Sequence, residues 1–158
     1  MKVAFFLTPK TDVVFLQANS TMRQAIERME HHRYSAVPVL NSEGHYVDTL
    51  TEGDLLWQLK HSPGMTFADT QNVRLSDVPR RMVNRPVHID AEMDELLGKA
   101  MDQNFVPVVD GRSVFIGIVR RSDIIRYCLQ LVHEQRHGHT RPVVQAVTPP
   151  PLPTTTPV

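Results

Sequence analysis

Val37-Pro38-Val39 leads, after a turn, to Asp48-Thr49-Leu50-Thr51-Glu52-Gly53-Asp54-Leu55-Leu56. Sixty-nine residues later, Val106-Pro107-Val108 leads in the same way to Gly117-Ile118-Val119-Arg120-Arg121-Ser122-Asp123-Ile124-Ile125. The offset is 69 for the two prolines and also for the two aspartates, so the spacing within the unit is preserved. Chance composition would rarely give this match, and the pattern therefore indicates an internal repeat.

Each copy of the unit predicts a strand, a turn, a second strand and a helix. An apolar triplet around a proline is typical of a short strand in which the missing N–H does no harm. Turn residues follow the triplet, Asn41-Ser42-Glu43-Gly44 in the first copy and Asp110-Gly111 in the second. After the second strand, the helix begins at Thr51 in one copy and at Arg120 in the other.

An amphipathic helix precedes each unit. In the first half, apolar residues recur at i, i+3, i+4 and i+7, and Thr21 with Gln24 forms a capping-box pattern at the helix start. In the second half we expect Asp90 to be the N-cap. The predicted apolar faces are Met22, Ala25, Ile26 and Met29 in the first helix and Met93, Leu96, Leu97, Ala100 and Met101 in the second.

These elements predict an α+β fold of two βαββα repeats, each too small to be stable alone, packed with pseudo-twofold symmetry. We assign residues 1–68 to the first repeat, with its N-terminal segment, and residues 69–135 to the second. The N-terminal segment carries two apolar runs, Val3-Ala4-Phe5-Phe6-Leu7 and Val13-Val14-Phe15-Leu16, that must pack on something. Residues 136–158 form a tail rich in proline and threonine, which we expect to be disordered.

The composition argues against several classes of function. Lys plus Arg and Asp plus Glu number 17 each, so no overall charge attracts nucleic acid or an acidic membrane surface. The longest apolar run near the start has five residues, too few for a signal-peptide core or a membrane span. The single Cys128 cannot form an internal disulfide. We therefore expect a cytoplasmic protein that binds neither nucleic acid nor membrane.

The repeated unit resembles a known domain. The first half resembles a cystathionine-β-synthase (CBS) domain in its helix, in Tyr34-Ser35-Ala36-Val37-Pro38-Val39-Leu40 with a glycine turn after it, and in Thr51-x-x-Asp54. The second half resembles the partner repeat of a tandem CBS pair, the Bateman module. The resemblance implies two clefts between the repeats that bind adenosine-containing ligands such as AMP, ADP, ATP, S-adenosylmethionine or cyclic di-AMP.

The resemblance also implies which residues hold the ligand. Thr51 matches the family's phosphate contact and Asp54 matches its ribose contact, while Asp123 keeps the ribose position in the second copy. Changing either aspartate to alanine is expected to remove binding at one site with little loss of stability. The residues that would frame the base are Tyr34, Ala36 and Val37 in the first repeat and Phe105 and Val106 in the second.

Two positions depart from the family pattern. The second copy has Arg120 at the hydroxyl position, and Asp48 in the first copy stands where the family usually has glycine, as at Gly117. A helix start offers free N–H groups and a positive dipole to a phosphate. Arg120 and Arg121 could hold phosphates there by charge and bidentate bonding, so the change could favour a more anionic ligand.

Each of these residues also has an ordinary structural explanation. Thr51 with Asp54 is a common N-cap arrangement, with an acidic residue favoured in the first turn. The arginines at the second helix start can be solvated surface groups. Tyr34 and Phe105 can be core or cleft-wall residues rather than groups that stack on a base.

His133-Glu134-Gln135-Arg136-His137 fits the H-E-x-x-H pattern of zinc proteases. Only His139 follows closely enough to supply a third ligand, and the motif lies where the predicted fold ends, so a solvated helix end is the preferred interpretation. No nucleophile–base pair, glycine-rich phosphate loop or carboxylate pair stands out. We expect neither a metal site nor catalysis.

These features predict a regulatory sensor in which an adenine nucleotide binds the clefts between the repeats and a separate protein partner receives the signal. The nucleotide is a regulatory ligand, and no cofactor is expected. The resemblance implies a homodimer that buries the helix face of Leu55, Leu56 and Leu59. The alternative is a dimerisation or scaffold module without a ligand, for which Arg120 and Asp48 are the relevant departures.

Overall fold

The computed structural model describes residues 1–138, and each half of this chain forms one βαββα unit. Short 3-10 turns at Val3–Phe6, Lys10–Asp12, Ala68–Asn72 and Leu75–Asp77 lie in the connecting segments. The predicted tail lies outside the described residues from position 139 onward. The strands are β1 (Thr8–Pro9), β2 (Leu16–Gln17), β3 (Ala36–Leu40), β4 (Tyr46–Thr51), β5 (Val87–His88), β6 (Phe105–Val109) and β7 (Phe115–Arg120). The helices are α1 (Met22–His32), α2 (Glu52–Lys60), α3 (Met93–Asp102) and α4 (Arg121–Gly138).

Each repeat has its own sheet. The first sheet has the order β2-β3-β4, and the second has the order β1-β7-β6-β5. The two hairpins have the same register, because Pro38 faces Thr49 in β3–β4 and Pro107 faces Ile118 in β6–β7. Both hairpins also shift register just after the residue that follows the proline. The α+β class and the βαββα order are thus confirmed.

The repeats meet about a pseudo-twofold axis. His45 and Val114, which are equivalent positions, form an isolated antiparallel bridge. The backbone N–H of Phe115 donates to the carbonyl of Gly44 at 3.0 Å. The rings of Tyr46 and Phe115, also equivalent, stack with their centroids 6.5 Å apart. Because equivalent positions contact each other, the predicted symmetric packing is confirmed.

The first core forms as the spacing of α1 predicts. Thr21 caps the helix, since its hydroxyl accepts the N–H of Gln24 at 3.2 Å while the Gln24 side chain accepts the N–H of Thr21 at 2.9 Å. The buried residues of this core are Leu16, Met22, Ala25, Met29, Val37, Val39, Leu50, Leu55, Leu75 and Val78, and Ile26 packs against them.

The N-terminal segment packs on the second repeat, although its sequence position groups it with the first. Val3 and Phe6 are buried in the second core, beside Leu96, Val106 and Val119. Strand β1 pairs antiparallel with β7 at the edge of the second sheet. The first apolar run therefore buries Val3 and Phe6 by crossing to the other repeat, whereas the second run buries Leu16 in the core of its own repeat.

Helix α3 begins later than predicted and buries less of its surface. The N-cap is Glu92 rather than Asp90, because the backbone N–H of Asp90 bonds to Nδ1 of His88 at 3.2 Å and holds that segment in a turn. Only one row of the helix packs on the core, and the neighbouring row faces outward. Leu96 and Ala100 are buried, whereas Leu97 and Met101 are 39% and 79% exposed.

The helices that end the repeats also differ from expectation. In α2, Leu55 is buried in the first core, so it cannot belong to the exposed dimer face that we predicted with Leu56 and Leu59. The last helix, α4, extends past Leu131 to Gly138. Within residues 1–138, no helix combines the length and apolar character needed to cross a membrane.

Candidate functional site

A cleft with a volume of about 390 Å³ opens between the two repeats. This volume falls within the range of small-molecule sites, roughly 300–1,000 Å³. Four parts of the chain line the cleft: the N-terminal segment, the segment from the end of α1 into β3, the start of β6, and the junction of β7 with α4. The cleft therefore depends on both repeats being packed together.

One wall of the cleft is apolar. Val13 and Val14 come from the N-terminal segment, Ala36 and Pro38 from β3, and Phe105 from the start of β6. The Tyr34 ring stands beside this wall, is 46% exposed, and stacks on the ring of His32. A flat, apolar group can therefore be held between residues of the two repeats.

The cleft also carries positive charge beside this wall, because Arg120 pairs with Phe105 across β6 and β7. Arg120 is the last residue of β7, and Arg121 is the first residue of α4. The Arg120 guanidinium lies 3.3 Å from a carboxylate oxygen of Asp123, and the Arg121 guanidinium donates to the side chain of Asn104. The charged residues that line the cleft are Arg33, Arg120, Arg121 and Asp12, so positive charge exceeds negative charge.

The N-terminal wall depends on a close backbone approach. A Cβ atom at Gly117 would lie 2.1 Å from the carbonyl oxygen of Thr8, so only glycine lets β1 lie against β7 at this point. That pairing carries the chain from Thr8 past Asp12 and Val13 along the cleft. Sequence reasoning missed these N-terminal lining residues. The glycine at position 117 was the one available signal for them.

The structure brings half of the predicted site residues to this cleft. Those that line it are Tyr34, Ala36, Phe105, Arg120 and Arg121. Val37 and Val106 instead lie in the two cores, at 1% and 0% exposure, because alternate residues of a strand face opposite sides of the sheet. Asp123 is not among the lining residues and pairs with both Arg120 and Arg126 at 3.3 Å.

Thr51 and Asp54 lie away from this cleft, at the start of α2, and form a capping box. The Thr51 N–H donates to Asp54 Oδ2 at 2.9 Å, and the Asp54 N–H donates to Thr51 Oγ1 at 3.2 Å. The other oxygen, Oδ1, accepts the backbone N–H of Arg81 at 3.0 Å. Asp54 is 3% exposed, so both of its carboxylate oxygens are bonded within the protein.

Metal-binding geometry does not arise in the described part of the chain. Residues 1–138 contain no group of three or more His, Cys, Asp or Glu side chains that could hold a metal ion. Glu134 and Arg136 are exposed near the end of α4. The side chain of His137 and all of His139 lie outside the described residues, so the zinc-site pattern is only partly within them.

Comparison with known proteins agrees with the repeat. The CBS domain model matches residues 6–61 and 75–130, two ranges offset by the same 69 residues. An uncharacterised protein of Chlamydia muridarum is 27% identical over 116 residues, which cover 70% of this chain. This chain spans about a third of that protein's length, 33%.

Solved structures share the fold. A CBS-domain protein from Streptococcus pneumoniae has a TM-score of 0.74 and 27% identity, with 82% of this chain and 88% of that chain covered. CbpB of Listeria monocytogenes, solved with c-di-AMP, has a TM-score of 0.71 and 22% identity, with 83% and 97% covered. CBSX2, solved with AMP, has a TM-score of 0.66 and 20% identity, with 83% and 98% covered; the protein is from Arabidopsis thaliana.

The repeat, the two equivalent hairpins and the two family matches cover most of the described chain. This chain belongs to the CBS-domain family and contains two CBS domains in tandem.

Proposed function

We propose that this tandem CBS module binds an adenine nucleotide in the cleft between its repeats and regulates a separate protein partner. The observation that carries the proposal is that apolar side chains and Arg120 and Arg121 line one cleft of about 390 Å³. A nucleotide has the same two parts, a flat base and an anionic phosphate. Binding and regulation, rather than catalysis, are what this arrangement supports.

The base would lie against the apolar wall. Ala36 and Phe105 are equivalent positions of the two repeats, and both line the cleft with Tyr34 nearby. Stacking on aromatic or apolar surfaces is sequence-tolerant for bases, so hydrogen bonds to nearby backbone groups would select adenine. These residues are the part of the predicted base site that we retain.

The phosphates would lie at the end with Arg120 and Arg121. A guanidinium can form two parallel hydrogen bonds to a phosphate, and its charge persists at any physiological pH. Asp123 does not line the cleft, but it pairs with Arg120 at 3.3 Å and so would position the arginine that binds the phosphate. The ligand we expect carries at least one phosphate.

The solved relatives support the ligand class. CbpB was crystallised with c-di-AMP and CBSX2 with AMP, and both are adenine nucleotides. Their fold is the fold of this chain, in which the cleft lies between the two repeats. We therefore propose AMP, ADP, ATP or cyclic di-AMP as the ligand here.

The output would reach a partner through exposed apolar helix surfaces. Leu56 and Leu59 of α2 are 58% and 38% exposed, and Ile125 and Leu129 of α4 are 53% and 55% exposed. Leu56 and Leu59 belong to the face that the predicted homodimer would bury, and analytical ultracentrifugation would measure whether the chain dimerises. A ligand can shift such an association only if its affinity differs between the two arrangements.

A thermal-shift panel tests the nucleotide proposal. Purified protein would be melted with AMP, ADP, ATP, cyclic di-AMP and S-adenosylmethionine, and with GMP as the base control. A ligand at 100 times its dissociation constant adds about 2.7 kcal/mol of stability, which moves the midpoint by several degrees. Absence of a shift with every nucleotide, confirmed by calorimetry, would favour the scaffold without a ligand.

A pair of arginine variants locates the ligand. Arg120→Ala removes a cleft arginine, whereas Arg126→Ala removes an arginine of the adjoining helix that is 71% exposed and also pairs with Asp123. Each tenfold loss of affinity lowers the ligand-induced stabilisation by about 1.4 kcal/mol. We expect the loss for Arg120→Ala only. Unchanged affinity in both variants would show that the ligand binds elsewhere.

A further inference from the structure

The pseudo-twofold axis relates the open cleft to a second position between the repeats. Applying the offset of 69 to the lining residues pairs Arg120 with Thr51, Tyr34 with Gln103, and Asp12 with Arg81. The counterpart of the N-terminal wall is thus the linker around residues 77–83. This second position contains Thr51 and Asp54, the pair that matches the family pattern without departure.

An ion pair fastens the linker to the first repeat. Arg80 Nε lies 3.2 Å from Asp48 Oδ2, and another guanidinium nitrogen donates to Asp48 Oδ1 at 3.3 Å. The same guanidinium donates to the carbonyls of Leu75 and Val78. The Arg80 side chain is only 14% exposed. Asp48 and Gly117 are equivalent positions. In the second repeat the glycine lets β1 lie against β7, whereas in the first repeat the aspartate binds an arginine.

Asp54 fastens the next residue of the linker. Its Oδ1 accepts the backbone N–H of Arg81 at 3.0 Å, and the Arg81 guanidinium lies over the ring of Trp57, 4.6 Å from its centroid. A ribose would have to compete for the same carboxylate oxygen. The aspartate that the family pattern assigns to ribose is therefore engaged by the chain itself.

Two further sets of contacts hold the residues that follow the linker, Asn84 and Arg85. The Tyr46 hydroxyl donates to the carbonyl of Asn84 at 2.7 Å. The side chain of Gln103 accepts the N–H of Arg85 at 3.2 Å and donates to its carbonyl at 3.4 Å. Gln103 is 7% exposed, whereas its counterpart Tyr34 is 46% exposed and lines the open cleft.

We infer that the linker seals the cleft of Thr51 and Asp54, so that residues 1–138 hold one nucleotide site per chain, at Arg120, with Asp48 and Arg80 deciding which cleft is open. The inference rests on the proposed function for its ligand, but the seal itself does not. The linker and the residues just after it are held by four side chains, and none of these contacts needs a ligand: Tyr46, Asp48, Asp54 and Gln103. The helix start with Arg120, which departs from the family pattern, is then the one that binds the nucleotide.

Calorimetric titration of the full chain with AMP, and separately with cyclic di-AMP, tests the assignment. We expect no more than one molecule per chain. Arg120→Glu should weaken binding roughly 10- to 100-fold, because a charge-assisted contact becomes repulsive. Arg81→Glu reverses an exposed charge at the sealed cleft and should change the affinity less than about twofold.

The outcomes separate the two proposals. Two ligands per chain, or binding that is lost in Arg81→Glu and kept in Arg120→Glu, would overturn the single-site assignment while leaving the nucleotide proposal intact. No heat with either ligand would overturn the nucleotide proposal and the site assignment with it.

Hydrogen exchange tests the seal without any ligand. The backbone N–H groups of Arg81 and Arg85 should exchange slowly, and Asp48→Gly combined with Arg80→Ala should speed the exchange at Arg81 at least tenfold. Removing both partners avoids leaving one buried charge alone. Fast exchange at both amides in the unaltered protein would overturn the seal.

Discussion

The two repeats share one backbone plan but differ at a few equivalent positions that decide the use of each cleft. Asp48 and Gly117 are equivalent, and so are Thr51 and Arg120. Gly117 lets β1 lie against β7 beside the cleft lined by arginines, whereas Asp48 binds Arg80 of the linker. Duplication of a fold therefore does not duplicate its contacts, because one side chain can replace a close backbone approach with an ion pair.

The largest expected effect separates the two aspartates of the repeat. We expect Asp54→Ala to lower the free energy of unfolding by roughly 2–4 kcal/mol, because two backbone donors lose a buried acceptor worth about 1–3 kcal/mol each. This differs from the small loss that the sequence predicted. Asp123→Ala should cost less than about 1 kcal/mol, since its partners Arg120 and Arg126 are exposed.

Urea unfolding of both variants, with nucleotide binding measured in parallel, checks this contrast. Asp123→Ala should weaken binding while the protein stays stable. Asp54→Ala should lower the stability but leave the nucleotide affinity unchanged under conditions in which the variant is folded. If the two variants lose equal stability, the two capping positions are equivalent and the contrast between the repeats fails.

The second prediction concerns the glycine that admits β1. Gly117→Ala should lower the free energy of unfolding by about 1–3 kcal/mol, because its Cβ would lie 2.1 Å from the carbonyl oxygen of Thr8 and force β1 away from β7. Nucleotide affinity should fall as well, since β1 positions the N-terminal wall of the cleft.

Gly98→Ala is the matched control. Gly98 lies within α3, and a Cβ atom added there would meet no atom within 4 Å, so alanine should raise stability by about 0.5–1 kcal/mol through helix propensity. Thermal unfolding and a binding titration would be recorded for both. Unchanged stability of Gly117→Ala would mean that β1 is not held against β7.

A smaller effect is expected at Tyr46, whose counterpart in the second repeat is Phe115. Burial raises the pKa of the Tyr46 phenol, and its hydroxyl bonds to Thr49 at 2.8 Å and to the Asn84 carbonyl at 2.7 Å. Tyr46→Phe should cost about 1 kcal/mol by removing those bonds. Chemical unfolding would measure the loss.

Tyr127→Phe serves as the control for this change, because the structure of residues 1–138 gives the Tyr127 hydroxyl no hydrogen bond while its ring packs edge-on against Phe6. It should leave stability within about 0.5 kcal/mol. Equal losses in the two variants would show that the contact with Asn84 contributes nothing.

The smallest effect compares the two hairpin turns. Asn41 and Asp110 are equivalent, and the side-chain oxygen of each accepts two backbone N–H groups, at 3.0 and 2.9 Å for Asn41 and at 2.8 and 2.9 Å for Asp110. The N–H groups of Val114 and Arg112 lower the pKa of the Asp110 carboxyl. A carboxyl with a lowered pKa stabilises the fold above its unfolded value, about 3.9, and loses that contribution as the pH falls through the folded pKa.

Asp110→Asn makes the second turn like the first and removes this pH dependence. The unaltered protein should be the more stable of the two at neutral pH, and the difference should vanish in acid. Thermal midpoints recorded from pH 7 down to about pH 2.5 would check this, because the unfolded carboxyl titrates near 3.9. Parallel curves over the whole range would contradict it.

Sequence reasoning succeeded where the information is local or periodic. The spacing of Met22, Ala25 and Met29 predicted a buried helix face, and Thr21 with Gln24 predicted its cap. It failed at Asp90, where a turn bonded to His88 delays the helix, and at Leu97 and Met101, which share the apolar character of the buried row but face outward. Periodicity identifies a face but cannot say how wide a strip the neighbouring elements will cover.

The internal repeat also allowed part of the cleft lining to be predicted. Arg120 and Phe105 line the cleft because the repeat places strand ends and helix starts at the boundary between the two halves. Val37 and Val106 follow Ala36 and Phe105 by one residue along a strand, and because a step of one reverses the side of the sheet, their side chains lie in the cores. The N-terminal lining was missed because no local pattern relates Thr8 to β7.

The sequence by itself determined the repeat, its offset, the βαββα order and the family. These follow from spacing and turn chemistry that act within a few residues or recur at a fixed period. Only the tertiary structure decided what packs beside each helix start, because that depends on contacts between distant segments such as Arg80 with Asp48 and Thr8 with Gly117. An aspartate carboxylate can accept hydrogen bonds from a ribose or from a backbone N–H. The fold decides which of these donors lies beside it.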